Sequence, residues 1–542
     1  MFYERILKRS VILLGLALYA LIISGQGTFK WIDQFGSYGS DVGYCAVSDG
    51  NARYVAGWFE NTVSFGQYSM TSYGSTDIFL VRLDSMGNVI WCRHFGGYGS
   101  DYVAGLSTDH QGNLYFSGWF YEDAYFDTFH ISSYGLEDAF ICRITTDGEV
   151  KWVLHGGGLD TDQAIRVNVS PTGTFIVFTG YYRDYAQFGP FSFFGSEGRE
   201  FFIARVDTNC SYKWVFSAPG NSDEVGYGID VDPFGNIYSL GYFYSYYWLV
   251  GSYLLINQGE FDCSLMKIDS AGNLIWAKRF GGYYDDVPRP LIYYDNYLYI
   301  GGYHYGQGDF LGIPLSGMGG RDQFVVKADT LGNGIWACDG ISLWDDEMIQ
   351  LDLDSAGNVY SSGGFNGVLQ FGTASFPSFG LFDAFCLKID GNNGNPLKAI
   401  TGGGIMNDMF FGVSVIKEDT IILTGYFSYV AKFGSNWLVS SGYNDIIIAE
   451  TSDLYVSVQQ PESPQNFIIY PNPARDHIIC RFNGSVPSSL IIYNSYGKIV
   501  MNTQIPMTKE ITIDCSQLSA GFYYLIFDEG TFGKGQKFLI LK

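Results

Sequence analysis

Histidine is scarce in this chain, with 6 residues, and positive charge is thin, with 31 lysines and arginines against 55 aspartates and glutamates. A net charge of −24 argues against nucleic acid or an anionic membrane as partner, because such a surface repels phosphate. The histidines (His94, His110, His130, His155, His304, His477) fall at no metal-ligand spacing, and no serine nucleophile elbow or zinc-protease motif is present. Cysteine shows no disulfide framework: the count of 9 is odd and the positions do not recur in step. Most are expected to be buried apolar thiols, with Cys480 and Cys515 the one pair worth testing. Beyond the N-terminus no apolar run approaches the roughly 20 residues a membrane helix needs. The glycine runs at Gly96 and Gly97, Gly156 to Gly158 and Gly402 to Gly404 precede no helix, so they are not phosphate cradles.

What the chain does have is a beat. Trp31, Trp91, Trp152, Trp214, Trp276 and Trp336 recur at intervals of 60, 61, 62, 62 and 60 residues. Around them lie strand-like runs divided by turns such as Asp109 to Asn113, Asp84 to Asn88, Asp232 to Asn236, Asp269 to Asn273 and Asp354 to Asn358. Glycine supplies the positive φ these turns need, and Asp or Asn bonds back to local backbone. Asp352, Asp354 and Asn358 suggest a calcium loop, but the spacing is not that of an EF-hand, and turn capping is the simpler reading. In the second copy, strands are expected at Tyr102 to Thr108, Leu114 to Phe120, Ala139 to Thr145 and Glu149 to Leu154, with a long loop through Phe126 and Tyr134.

Four-stranded units in series form either a radial propeller or a linear solenoid. The last copy stops near Thr451 without its tryptophan strand, while a spare one, Phe29 to Phe35, opens the chain. The expectation is therefore all-β: a seven-bladed β-propeller over residues 26–451, about 61 residues per repeat, closed by the N-terminal strand. The stretches Gly96 to Asp101, Asp109 to Gly118 and Gly135 to Phe140 resemble the SBBP propeller repeat of bacterial secreted proteins. That resemblance implies a fold and leaves function open.

Two acidic residues recur in every copy. One set is Asp41, Asp101, Asp162, Asp223, Asp286, Asp346 and Asp408; the other is Asp77, Asp138, Glu200, Asp262, Asp322, Asp383 and Asp445. Strand direction places both on the face carrying the long loops, where they would gather calcium or a cationic partner, or cap loop amides as structural devices. Function is better sought where copies differ. Tyr181, Tyr182 and Tyr185, Tyr242, Tyr244, Tyr246, Tyr247 and Trp248, and Tyr283, Tyr284, Tyr303 and Tyr305 place aromatics on strand ends and loops, suited to sugar rings or protein surfaces, or else to packing between blades. Asp285, Asp286, Asp345 and Asp346 occupy corresponding loops and are the candidates for acid and base on a glycosidic bond. No metal site or cofactor is assigned, with calcium left open. The leading expectation is a non-enzymatic binding, adhesion or scaffold module for a protein or glycan; the rivals are a polysaccharide-active enzyme and a structural surface component.

The two ends carry addresses. Arg5, Lys8 and Arg9 precede an apolar run from Val11 to Ile23 and then Ser24, Gly25 and Gln26, the order of a secretory signal peptide over 1–25. A polar, proline-bearing linker, 452–466, leads into residues 467–542, where seven short strands read as a small Ig-like β-sandwich. Tyr470, Pro471, Asn472 and Pro473 with Asp476, then Gly497 and Lys498, Gly521 and Tyr523, and Lys537 resemble the type A C-terminal sorting domain of the type IX (Por) secretion route. The resemblance implies passage through the periplasm, contact with the type IX machinery, and release or attachment at the outer cell surface.

Overall fold

The computed structural model describes residues 28–340, 344–371 and 374–453, then 467–470, 474–482, 489–494, 499–504, 506, 508–519, 521–528 and 534–542. Segment 1–25 and nearly all of the 452–466 linker lie outside the described residues. The described chain is all-β and divides into two compact units, with the boundary at Val456 and Ser457. Among the described residues no helix is long and apolar enough to cross a membrane.

The second copy shows how one unit is built. Asp101–Thr108, Asn113–Phe126, Phe129–Thr145 and Val150–Gly156 pair antiparallel in chain order. Its first turn forms for a local reason: Asp109 accepts the amides of Gln111 and Asn113 at 2.8 and 2.9 Å and the Asn113 side chain at 2.6 Å. Asp354 is committed in the same way to Ala356 and Asn358, while Asp352 accepts the Val415 amide at 2.6 Å, so these groups cap backbone.

The expected long loop through Phe126 and Tyr134 is instead a continuation of the two middle strands, which close at the Phe126 to Phe129 pair. A bulge at Glu122 and a turn residue, Asp127, both with positive φ, let the strands change twist and run on. The extension reaches the preceding unit, where Gly96 and Gly97 pair with Tyr125 and Ala124. In the fourth copy a separate hairpin, Tyr247–Val250 with Tyr253–Ile256, takes this place.

The units close into a ring. Their first strands, Val42–Asp49, Asp101–Thr108, Gln163–Val169, Glu224–Val231, Asp286–Tyr294, Asp346–Leu353 and Met409–Lys417, contact one another in that order, and the last contacts the first. Thr28–Phe35 adds antiparallel to the edge of Asn436–Asp453, with Ile32 opposite Ala449 and Phe35 opposite Ile446. This is a β-propeller with no open strand edge at its seam.

Four of the six recurring tryptophans latch neighbouring units, while the indole N–H groups of Trp31 and Trp276 are buried without a hydrogen-bond partner among the described residues. The indole N–H of Trp91, Trp152, Trp214 and Trp336 donates to Thr146, Thr208, Ser270 and Gly391, each in the last turn of the following unit, at 3.1 to 3.2 Å. Replacing Trp152 by Ala is expected to cost about 3–5 kcal/mol in urea unfolding, whereas Phe, which fills most of the volume, costs only the hydrogen bond and a small void, about 1–2 kcal/mol. Equal losses for the two variants would mean that packing contributes little at the latch.

In the C-terminal unit Phe467–Tyr470, His477–Phe482 and Glu510–Asp514 form one sheet. Ile499–Gln504, Ser489–Asn494, Gly521–Asp528 and Lys534–Ile540 form the other. Alternating residues of both, among them Ile478, Cys480, Leu490, Ile513, Leu525 and Ile540, share one core. Cys480 and Cys515 are buried there as free thiols; the other cysteines are also free, Cys210 and Cys338 partly buried and the rest buried.

Candidate functional site

The repeated carboxylates do not make the loop face acidic. Asp101, Asp162, Asp286 and Asp408 are buried, each accepting the amide four residues earlier, from Gly97, Gly158, Gly282 and Gly404, at 2.5 to 2.8 Å. Asp41 does the same with Ser37, and its second oxygen takes the Glu60 amide at 2.9 Å. In the second set Asp77, Asp138, Asp383 and Asp445 accept the amides of Tyr73, Tyr134, Phe379 and Ser441. Glu200 accepts those of Ser196 and Gly220. Asp322 and Asp346 are buried as well. Loop backbone has few other partners, and a carboxylate satisfies several amides at once.

One member of the first set is corrected. Glu224, not Asp223, is the buried carboxyl of the fourth copy, accepting the Ser245 amide, while the partly exposed Asp223 caps the Arg199 amide at 2.9 Å. Glu224 keeps the ten-residue spacing from Trp214 that Asp101 and Asp162 keep from Trp91 and Trp152, so the repeat itself marks it, and Asp223 is the residue before it.

The two sets meet pairwise. Gly96 lies between Asp77 and Asp101, Gly157 between Asp138 and Asp162, Gly281 between Asp262 and Asp286, and Gly403 between Asp383 and Asp408. Burial, chiefly, pushes the Asp101, Asp162, Asp286 and Glu224 carboxyls up to about 8, and those of Asp138 and Asp408 to about 7. Two pairs contain a basic side chain: His94 contacts Asp77, and Arg279 bonds Asp262 at 2.6 Å. His155 holds the same place as His94 but packs on Tyr134 and Phe120, with its pKa lowered by burial. Among the described residues no group of three or more His, Cys, Asp or Glu side chains is placed to hold a metal.

The glycosidase candidates are committed elsewhere. Asp286 and Asp346 are buried, Asp345 accepts the Arg321 amide at 3.0 Å, and Asp285 is half-buried. Neither Asp286 nor Asp346 presents a carboxyl to solvent as an acid or base for a polymer would need.

What the loop face exposes is aromatic and aliphatic. Tyr38, Tyr98, Leu159, Tyr283 and Ile405, each three residues before a capping carboxylate, are 70 to 86% exposed. Tyr73, Tyr134 and Tyr443 are also exposed. Of the tyrosine tracts, Tyr244, Tyr246, Tyr247, Tyr283, Tyr284 and Tyr305 join this surface, with the Tyr284 ring 5.4 Å from Tyr283 and 5.1 Å from Tyr305. Tyr185 is half-buried beside Phe194. Tyr182 and Trp248 belong to the core, bonded to Ser217 and the Ala218 carbonyl. A depression of about 370 Å³ lies on this face between Asp223, Tyr244 and Phe261. A second, of about 470 Å³, lies against His155, Gln187 and Tyr212.

Tyr181, Tyr242 and Tyr303 lead to a region that sequence reading missed. They follow a glycine in the second strand, as do Trp58, Trp119 and Tyr426, at one position of the repeat. Gly118 shows why glycine precedes: a Cβ there would strike the Tyr102 carbonyl of the bulged first strand. In every first strand that bulge leaves a residue unpaired, among them Tyr44, Tyr227, Arg289 and Phe411. These unpaired residues converge on the ring axis. Phe411 stands 5.3 Å from Tyr44, in the neighbouring unit, and Arg289 lies within electrostatic reach of Tyr44, Tyr227, Tyr303 and Glu347, from four units. The Gly-aromatic dipeptide and the bulge, both repeating near 61 residues, were the available signals.

Comparison with known proteins decides one part of the chain. Residues 468–542 match the family model described as the secretion system C-terminal sorting domain. The C-terminal unit is a secretion sorting domain. It carries the protein out by type IX secretion, which implies contact with that machinery and a place outside the cell or on its surface. Of the sorting-domain residues, Tyr470 bonds Glu510 at 3.1 Å, the Asp476 carbonyl accepts the Cys515 amide, Gly521 has positive φ, and the buried Tyr523 donates to the Ser519 carbonyl. Lys537 pairs with Tyr524 through backbone, and Pro471, Asn472, Pro473, Gly497 and Lys498 lie outside the described residues.

No curated protein matches the sequence. Among solved structures the chain is similar to the WD40 β-propeller domain of Doa1, at 11% identity and TM-score 0.38, over 79% of this chain and 97% of that one. It is also similar to a putative 6-phosphogluconolactonase from Bacteroides uniformis, at 9% identity and TM-score 0.37, over 76% of this chain and 100% of that one.

Proposed function

We propose that this protein is an exported carbohydrate-binding propeller of seven SBBP-type blades that takes its ligand on the loop face. A signal peptide over residues 1–25 begins the route and an Ig-like sorting domain completes it. The observation that carries the reading is the ring of exposed aromatics on that face, Tyr38, Tyr73, Tyr98, Tyr134, Tyr283 and Tyr443 among them. Flat phenol rings offer apolar area to the faces of sugars and a hydroxyl to their edges. No catalysis and no cofactor, calcium included, enters the reading, because the repeated carboxylates are turned inward to loop amides.

The test is retention of the purified protein on a panel of immobilised polysaccharides, with the variant Tyr283→Ala, Tyr284→Ala, Tyr305→Ala beside it. The parent is expected to bind at least one polysaccharide, and the triple variant to bind it about tenfold or more weakly at unchanged melting temperature. Retention by no polysaccharide, or equal retention of the triple variant, would dispose of the reading; turnover of a bound polymer would replace it with an enzyme.

A further inference from the structure

The mouth of the central channel has two unlike walls. On one side six rings follow one another around the axis, Tyr426, Phe411, Tyr44, Trp58, Tyr102 and Trp119, with neighbouring centroids 5.0 to 5.4 Å apart. On the other side phenols alternate with guanidinium groups: Arg199 over Tyr181 at 5.0 Å, Arg289 over Tyr227 at 5.0 Å, and Arg321 over Tyr303 at 4.9 Å.

Two of the four arginines here are answered. Arg321 pairs with Glu347, and Arg199 bonds the Tyr242 hydroxyl at 3.3 Å with Asp223 3.9 Å away. Arg166 and Arg289, both within electrostatic reach of Tyr44, form no hydrogen bond or ion pair among the described residues, and the Nε of Arg289 is fully enclosed without an acceptor. A buried donor without an acceptor costs about 1–3 kcal/mol, more for a charged group, so such a group marks a place where an acceptor belongs. This is unusual in a chain of net charge −24. The excess negative charge bears little on the channel at physiological salt, where exposed charges more than about 8 Å away are largely screened.

We propose that the channel mouth binds a carboxylated sugar, a hexuronate unit of an acidic polysaccharide, with its carboxylate on Arg289 and Arg166 and its ring against the aromatic wall. The proposal rests on the carbohydrate reading of the loop face and narrows it to a charge class. A guanidinium presents a planar fork that matches the two oxygens of a carboxylate. The contiguous tilted and edge-to-face rings offer the apolar area that a free anion cannot use and a pyranose face can. The bulged residues Tyr44 and Arg289 lie three residues along their strands from the capping carboxylates Asp41 and Asp286, toward the loop-face end of the axis.

Calorimetric titration of the full chain with an oligogalacturonate, with the same oligomer as its methyl ester, and with acetate tests this. The free acid is expected to bind at least tenfold more tightly than the ester, Arg289→Met to abolish that difference, and Arg289→Lys to keep part of it. A melting temperature matching the parent's shows that each variant is folded. Equal binding of acid and ester, or an undiminished preference in Arg289→Met, would overturn the proposal while leaving a neutral-sugar lectin. Acetate binding as tightly as the oligomer would reduce the site to an anion site and overturn the sugar assignment. Binding of neither oligomer, with none of the immobilised polysaccharides retained, would remove both readings together.

Discussion

Raising the pH from about 5 to about 9 is expected to destabilise the propeller by several kcal/mol and to lower its melting temperature progressively. Asp41 and Asp352 have their carboxyls raised by burial to about 6, Asp138, Asp230 and Asp408 to about 7, and Asp101, Asp162, Asp286 and Glu224 to about 8. In the unfolded chain these groups titrate near the ordinary carboxylate values of about 4. Between about pH 4 and pH 8 the folded state therefore holds more protons than the unfolded state, and stability falls as pH rises. The contribution is complete below the unfolded value and is lost as pH passes 6 to 8; each unit of displacement is worth about 1.4 kcal/mol per group.

Other groups set the acid limit. Burial lowers His155, and lowers His304 to about 4, so these imidazoles must charge as the protein is acidified. Asp84, Asp269 and Asp354, held low by their turn bonds, lose their contribution as pH falls through their depressed values. The optimum is thus expected on the acidic side, near pH 4 to 5 by these values, because the nine raised carboxyls outnumber the two imidazoles. Thermal scans across pH check this, with Asp101→Asn as the internal probe: a neutral side chain of the same shape is expected to flatten the slope and raise stability at pH 9 relative to the parent. A profile that rises toward pH 9, or an Asp101→Asn slope identical to the parent's, would show that these carboxyls stay ionised in the folded state.

Removing the strand Thr28–Phe35 is expected to unfold the propeller or drive it into dimers through the exposed edge. Seven register positions join this strand to Asn436–Asp453. Phe35 packs on Phe65 at 4.7 Å, Phe29 on Phe433 at 6.5 Å, and Lys30 pairs with Glu450 at 2.9 Å. These contacts close the ring, so their loss opens the interface between the first and last copies as well as the edge itself. The single change Ile32→Pro, opposite Ala449, removes a ladder donor inside the strand and is expected to cost about 3 kcal/mol or more. Adding a peptide of residues 28–35 to the truncated chain is expected to restore a cooperative melt, since the edge it fits remains. A truncated chain that melts like the parent, as a monomer, would mean that closure lies elsewhere.

Much of the fold was legible because its signals are local. The turn at Asp109 to Asn113 is specified within five residues, by one carboxylate and the amides next to it. The borrowed strand could be read from an arithmetic gap, a tryptophan strand missing at the end and spare at the start. In the C-terminal unit the seven short strands expected are present.

The site was less legible, because the parity of a strand does not survive a bulge. Val103 and Leu106, an odd number of residues apart, share one core because Ala104 between them is unpaired, whereas Tyr181 and Tyr182 face opposite ways by plain alternation. One unpaired residue reverses which side chains point inward, and a bulge in the first strand does so in each copy.

By itself, then, the sequence determined the period, the turns, the closing strand and the sorting domain, all of which depend on residues a few positions apart or on simple counting. Only the tertiary structure decided that the repeated carboxylates turn inward in pairs, that the loop face is aromatic, and that Arg289 stands unanswered among phenols on the axis. Those outcomes depend on which groups from units some 60 or more residues apart come together, and on the cost of leaving a buried amide or charge without a partner.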